Sequence, residues 1–326
     1  MHNFWLNKRI LITGGAGFIG TNLANRLIAK GSKVKVIDNL ERGKKNFLDK
    51  KVEFHEYDLR KFNENLKKIF KNIDIIFHLA SKVGSMDYYL NNSYDVLNEN
   101  LIIDNIVIDQ AINSKVRTFF YASSAHVYPS ENKLLKKKFY ENDNSTYRPK
   151  ISYGLAKMLT ENKLFFAAKK FNFMKILVAR YTGIYGPLQD YDIKKASLIP
   201  AICFKAIGKK KNINLLTNGN EMRSYCYIDD AINCTMLMCE KNELNYNIYN
   251  VCSSHIETIK SIAKKVIKVS NSKKKLTLSK KKANVDYQFC SNDKAVKELG
   301  WNCDTALITG LNYTFRDIEK RANYKK

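Results

Sequence analysis

Residues 9–31 read RILITGGAGFIGTNLANRLIAKG. An apolar run, a glycine-rich turn and a helical pattern follow one another without a gap, and Gly31 ends the helix. Gly14, Gly17 and Gly20 form GxxGxxG between the strand and the helix. Such a turn bends tightly, lets the backbone approach a pyrophosphate and aims the positive end of a helix at its charge. Phe18 and Ile19, at the helix start, belong to the same expected cradle. The flanking strand and helix distinguish it from a bare bend.

The pattern repeats outward. KVKVID (33–38), VEFHEYDL (52–59), IDIIFHLAS (73–81) and VRTFFYASS (116–124) read as short buried strands, with helical stretches such as Leu97–Asn113 between them. ISYGLAKMLTENKLFFAAKKF (151–171) reads as a long helix and FMKILVARY (173–181) as the next strand. Strands alternating with helices predict an α/β protein with a Rossmann-type doubly wound parallel sheet. Beyond residue 180 the rhythm breaks at turn-rich GIYGPLQDYD (183–192) and LLTNGNEMRSYCYIDD (215–230). The expected division is a nucleotide-binding domain over 1–180 and a smaller C-terminal lobe, mainly substrate-binding, over 181–326. Residues of about 228–252 are expected to return to the first domain.

The 326 residues are 45% hydrophobic, with 4 Pro and 14 Gly, enough for a core and too few breakers for long linkers. The net charge is +25, but the lysines are spread along the chain. Their short runs at 209–211, 273–275 and 280–282 are not interleaved with aromatics, so no nucleic-acid partner is expected. A positive field suits an anionic small substrate. Cysteines at 203, 226, 234, 239, 252, 290 and 303 show no CxxC or Cys/His spacing. They read as reduced thiols of a cytoplasmic protein without a metal site. The start, MHNFWLNKRI, runs into the first strand pattern with no leader-like stretch. No segment reaches the ~18 apolar residues of a membrane span.

Asp38, followed by Asn39, ends the second strand at a distance where an acid can bond both ribose hydroxyls and repel a 2′-phosphate. NAD is therefore expected over NADP, although Arg42 close behind would suit a phosphate. Asp58 and Leu59 are candidates to flank the adenine; an ordinary strand-end turn is the competing reading. Tyr153-Gly-Leu-Ala-Lys157 places phenol and ammonium on one helix face. A lysine there lowers the phenol pKa, so Tyr153 can act as a base near neutral pH. Ser124 can hydrogen-bond the same oxygen and a substrate hydroxyl.

With TGGAGFIG, VIDNLERG, YDL, FHLAS, Asn100, YASSAHVYP, SYGLAK, RYTGIYGP, RSYCYIDD, YNVCS and KELGW all in order, the chain resembles the extended short-chain dehydrogenases/reductases of the NAD-dependent epimerase/dehydratase family over nearly its whole length. The resemblance implies a tightly held NAD, a Ser-Tyr-Lys set, a nucleoside diphosphate sugar and a homodimer. It implies that Tyr153 takes the proton of the sugar 4-hydroxyl while the C4 hydride goes to NAD. It puts Leu79, Ala80 and Asn100 on the cofactor side and Arg223 on the substrate diphosphate. Within the family, FFYASSAHVYP is similar to the FFYASSACIYP of the GDP-mannose 3,5-epimerase branch, and the CFKA stretch at Cys203 also aligns. SKVGSMDYYLNNS (81–93) lines up on that branch's substrate loop, sharing Gly84, Met86 and Asn92 and bringing Ser85 with them.

His126 takes the place of that branch's cysteine, which moves protons beside the C4 ketone. Simple 4-epimerases carry a small side chain there, and 4,6-dehydratases an acid. With an ordinary pKa of ~6.5, a histidine can replace the cysteine. Strand alternation would aim it to the same face as Ser124. Two readings stay open: an acid/base at C3 or C5, or a residue that only lines the pocket. Ser197 aligns with the branch's second acid/base lysine, with Lys194 and Lys195 nearby; Gly183 replaces an asparagine, and Tyr287-Gln288 stands near a missing arginine. The base and the sugar are left open by these departures. The expected activity is an NAD-dependent nucleotide-sugar epimerase working through a transient 4-keto sugar. A 4-epimerase, which needs only Ser124, Tyr153 and Lys157, is an alternative. So are a 4,6-dehydratase, a keto-sugar reductase and a non-catalytic NAD-sensing protein. The dehydratase needs a carboxylic acid, and the intact Tyr/Lys pair speaks against the sensor.

Overall fold

The computed structural model describes residues 3–129, 138–143, 149–192, 196–281 and 289–323. Lys194, Lys195, Tyr287 and Gln288 lie outside them. The chain divides into two compact units: residues 1–127, 149–180 and 232–249 in the first, and 128–148, 181–231 and 250–326 in the second.

The first unit is built on a seven-stranded sheet. Its strands are β1 (Arg9–Thr13), β2 (Lys33–Asp38), β3 (Glu53–Glu56), β4 (Ile75–His78), β5 (Thr118–Ser124), β6 (Lys175–Tyr181) and β11 (Tyr246–Val251). Their order is β11-β6-β5-β4-β1-β2-β3. Every pair from β5 across to β3 is parallel. Helices α1 (Phe18–Ala29), α2 (Glu64–Ile69), α3 (Met86–Asn91), α4 (Ser93–Asn113), α5 (Ser152–Lys170) and most of α7 (Ile228–Lys241) accompany it. The order reverses at β1, between β4 and β2, which opens a crevice at the strand carboxyl ends. The strands are apolar runs because both faces are covered. Leu11, Ile37, Ile76, Phe119 and Val178 pack with Ile103 and Val107 of α4 and Leu164 of α5. Each such side chain contributes roughly 1.5–3 kcal/mol by burial. Helix α4 starts four residues before the predicted Leu97, at Ser93.

Among its described residues the second unit holds three two-stranded ribbons. These pair β7 (Ile184–Tyr185) with β10 (Cys226–Tyr227), β8 (Asn212–Asn214) with β13 (Lys275–Thr277), and β9 (Met222–Ser224) with β12 (Ile256–Thr258). Helices α6 (Leu198–Ile207), α8 (Ile259–Val269) and α10 (Leu307–Asn323) pack on one another, and α9 (Asp293–Leu299) precedes the last. All seven cysteines are free thiols. Among the described residues no helix is long and apolar enough to cross a membrane.

Candidate active site

The glycine turn leaves β1 at Gly14, whose φ of +67° and 2.7 Å approach of an added Cβ to the Ala80 backbone both require glycine. Leu79 and Ala80 donate backbone N–H to the Thr13 carbonyl (3.0 Å) and hydroxyl (3.3 Å), tying the ends of β1 and β4 together. Gly17 precedes α1 with no side-chain cap, so the first-turn N–H groups at Phe18, Ile19 and Gly20 carry no capping side chain. Asp38 ends β2 nearly buried and accepts N–H bonds from Ala16 (3.0 Å) and Leu40 (2.8 Å). Burial pushes its carboxyl above the ordinary value, against those backbone donors. An uncapped helix start beside a fixed acid fits a dinucleotide: pyrophosphate at the turn, ribose at Asp38.

Beside it lies an open cavity of about 660 Å³, lined by Asn39, Tyr57, Asp58, Arg60 and Lys82 among others. Arg60 grips Asp58 (2.8 Å) and Glu99 (2.6 Å), and its guanidinium beside Asp58 holds that carboxyl below the usual range. Leu59 packs into the core. Lys82 pairs with Glu41, and Arg42 donates to the Val83 carbonyl at 2.9 Å. Fully buried Asn100 accepts from the Ser81 hydroxyl (2.6 Å) and the Lys82 N–H (2.9 Å) and donates to the Lys82 carbonyl (3.1 Å). It fixes the start of the 81–86 loop. Ser85 caps α3 by accepting from the Tyr88 N–H (3.2 Å), and Met86, the first residue of α3, is exposed.

The reactive side chains meet at the end of β5. The Ser81 and Ser124 hydroxyls lie beside the Tyr153 phenol and act to lower its pKa. The Lys157 ammonium, on a side chain only 1% exposed, lies 5.7 Å from the Tyr153 ring centroid and 4.6 Å over the Tyr121 ring. Tyr89 stacks on Tyr153 at 5.0 Å, with 9° between the rings. The expected lowering of the phenol pKa is not what this geometry produces. Burial pushes Tyr153 above its ordinary value, the Tyr89 and Asp104 charges add to that, and the two serines oppose it. Burial also pushes the Lys157 ammonium down.

His126 does not continue the strand. β5 stops at Ser124, and Ala125–Val127 form a 3₁₀ turn in which the His126 N–H donates to the Ser124 hydroxyl at 3.2 Å. The turn, not strand alternation, sets the ring 6.0 Å from Tyr153 and 6.5 Å from Tyr89, edge-on to both. Helix α5 rests directly on this turn, since a Cβ at Gly154 would fall 2.1 Å from the His126 carbonyl. Arg223 sits on β9 of the second unit, opposite Glu257 of β12, and donates to the Met222 carbonyl at 3.0 Å. Ser197 accepts from Gln189 at 2.9 Å. Ser81 and Tyr89 were not singled out from the sequence. FHLAS was visible as a motif, but nothing local shows that its serine turns to the tyrosine.

A reversed-order parallel sheet with a glycine turn at its switch point defines a Rossmann-type dinucleotide-binding protein. The chain belongs to the NAD dependent epimerase/dehydratase family, which matches residues 10–252, and NAD is that family's cofactor. It is 28% identical to the GDP-mannose 3,5-epimerase of Arabidopsis thaliana over 325 residues, 98% of this chain and 84% of that one. It is 26% identical to a UDP-N-acetyl-alpha-D-glucosaminuronate decarboxylase of Bacillus cytotoxicus over 278 residues, 83% of each. The solved UDP-glucose 4-epimerase of Thermotoga maritima, with UDP-glucose, superposes with a TM-score of 0.87 at 27% identity, covering 96% of this chain and 99% of that one.

Proposed function

We propose that the chain is an NAD-dependent nucleotide-sugar epimerase that works through a transient 4-keto sugar. The observation that carries this reading is the buried Tyr153 phenol at the end of β5, with the Lys157 ammonium 5.7 Å from its ring and the His126 ring 6.0 Å away. In it Tyr153 takes the proton of the sugar 4-hydroxyl, and Ser124 hydrogen-bonds the same sugar oxygen. Lys157 stabilises the phenolate by charge. NAD, when bound, supplies the hydride acceptor for C4 and a ring cation that favours the phenolate. The ketone acidifies the protons at C3 and C5, and His126, beside Tyr153, moves a proton on one face of the ring; inversion is completed by delivery of a proton to the opposite face from a second donor. Arg223 holds the diphosphate, and Gly84, Ser85 and Met86 line the sugar. The likeness over 98% of the chain to a GDP-mannose 3,5-epimerase, with a histidine able to carry protons at the reactive tyrosine, supports inversion at C3 or C5. The second reading is a 4-epimerase, favoured by the TM-score of 0.87 to a UDP-glucose 4-epimerase. Family likeness supports a homodimer, and seven free thiols suit a reducing cytoplasm.

The test is incubation in D₂O with GDP-mannose, UDP-glucose, UDP-glucuronate and dTDP-glucose separately, read by NMR and mass spectrometry. Deuterium at C3 or C5 supports the 3,5-type reaction. Inversion at C4 without deuterium makes it a 4-epimerase, and loss of water a dehydratase. His126→Ala should keep C4 oxidation and stop exchange at C3 and C5; loss of C4 oxidation would assign His126 to positioning instead.

A further inference from the structure

Beneath the reactive tyrosine lies a buried polar assembly that the proposed reaction does not use. Its centre is Asp104 on α4, 1% exposed. One carboxylate oxygen accepts from His78 Nε2 at 2.9 Å. The other accepts from the Tyr121 hydroxyl at 2.7 Å and the Thr160 hydroxyl at 2.6 Å. His78 Nδ1 is left as the acceptor for the Thr13 hydroxyl at 2.7 Å, and burial holds this histidine below its ordinary value. A neutral His78 donates a hydrogen bond to Asp104 without supplying a positive charge.

The cation facing Asp104 is Lys157. Its ammonium lies over the ring of Tyr121, the same residue whose hydroxyl donates to Asp104. Glu161, one turn beyond Lys157, is already held by Arg180 (2.6 and 3.0 Å) and by Ser123 (2.5 Å). A buried ammonium and a buried carboxylate are each costly alone and offset one another when close. We propose that Asp104 is the counter-ion that keeps the buried Lys157 ammonium charged across the Tyr121 ring, and so acts as a positioning residue for Tyr153. This inference rests on the role proposed above for Tyr153 and Lys157.

The signs separate this role from a structural one. The charged or titratable groups around Lys157 are Asp104 on α4, His78 on β4, Tyr121 on β5, and Tyr153 and Glu161 on α5. Asp104 and Glu161 hold the Lys157 ammonium up against burial. Without Asp104, Glu161 is the carboxylate left to oppose burial among the described residues, and Lys157 loses its proton at lower pH. The alkaline limb of turnover then moves down. A direct effect on Tyr153 would instead move the acid limb, because the Asp104 charge raises the phenol.

The experiment is a ¹³C-lysine NMR titration of Lys157, assigned by its loss in Lys157→Met, in the wild type, Asp104→Asn and Asp104→Glu. Circular dichroism checks the fold, and kcat and KM are measured against pH. Asp104→Asn should lower the Lys157 midpoint by about one pH unit or more. The alkaline limb of kcat should follow it, with KM changed less than about twofold on the reading that uniform binding is untouched. Asp104→Glu should restore part of the shift. A folded Asp104→Asn whose Lys157 midpoint equals that of the wild type overturns the inference. Should Asp104→Asn not fold, the wild type and Asp104→Glu decide. An uncharged Lys157 at pH 7 in the wild type, or an Asp104→Glu midpoint that falls by about one pH unit or more although the carboxylate is kept, also overturns it. Full turnover by Lys157→Met would instead remove the proposed role of Lys157 in the reaction and leave the titration to decide Asp104.

Discussion

Tyr153 joins three neighbours that lie far apart in the chain: Ser81, Tyr89 and Ser124. Tyr153→Phe removes one oxygen and keeps the ring stacked on Tyr89. Turnover should fall by roughly 10²–10⁴-fold while the NAD carried through purification is unchanged. Unaltered turnover would mean that another group takes the proton. At Asp38, replacement by alanine leaves the Ala16 and Leu40 N–H groups without their acceptor. Purified Asp38→Ala should carry less NAD than the wild type, measured by absorbance after denaturation. The pairing of Tyr153 with Lys157 was legible because helix spacing alone puts them on one face. Ser81 and Tyr89 were not legible, because their contact depends on a loop pinned by Asn100, a tertiary fact. Asp104 was not singled out from the sequence either, since its partners come from β4, β5 and α5.

Helix α5 is held in place by a contact that tolerates no side chain. Gly154→Ala must push the helix off the Ala125–Val127 turn, because the new Cβ would lie 2.1 Å from the His126 carbonyl. Overpacking of this kind costs roughly 1–3 kcal/mol. It should also displace Tyr153 from His126, so turnover should fall further than stability, and a folded Gly154→Ala with full activity would count against the contact. Further along the helix, Arg180 and Glu161 form an ion pair with both side chains almost wholly buried. Arg180→Leu should cost about 3–5 kcal/mol by urea unfolding, more than Arg180→Leu combined with Glu161→Leu, which leaves no buried charge behind. The strands of the first unit were readable because parallel strands covered on both faces are unbroken apolar runs. The exit from β5 was not readable. The same residues, Ala125–Val127, can continue an alternating pattern or coil into a turn, and the turn is packed against Gly154, a tertiary contact that no local pattern shows.

For the folded state as a whole, acid acts first through His78. Its folded value is depressed below the ordinary 6.5 by burial. The unfolded chain therefore takes up a proton as pH falls through 6.5, and the folded chain does not. The stability this residue contributes is full above that pH and is lost progressively below it, at no more than about 1.4 kcal/mol per pH unit. Asp104 is also depressed, below its ordinary 3.8, so its contribution is lost only under more acidic conditions. Urea midpoints should fall between pH 7 and 5.5, and His78→Gln should flatten that slope. Repeating the series at high salt separates this from self-repulsion of a chain with net charge +25, which salt screens. At this scale the α/β architecture was readable from the alternation of strand and helix patterns. The reaction was not, since the relatives named above include epimerases and a decarboxylase.

The order of the seven-stranded sheet also sets a timetable. Its edge strand, β11, comes from residues 246–251, some 65 residues beyond the end of β6, with which it pairs. During synthesis the ribosome must release the chain as far as residue 251 before β6 gains its outer neighbour. Until then that edge exposes unpaired amides, a template for mispairing with other nascent chains. A chain cut just before Tyr246 should therefore aggregate, and supplying residues 246–251 as a peptide should reduce that aggregation if the open edge is its source.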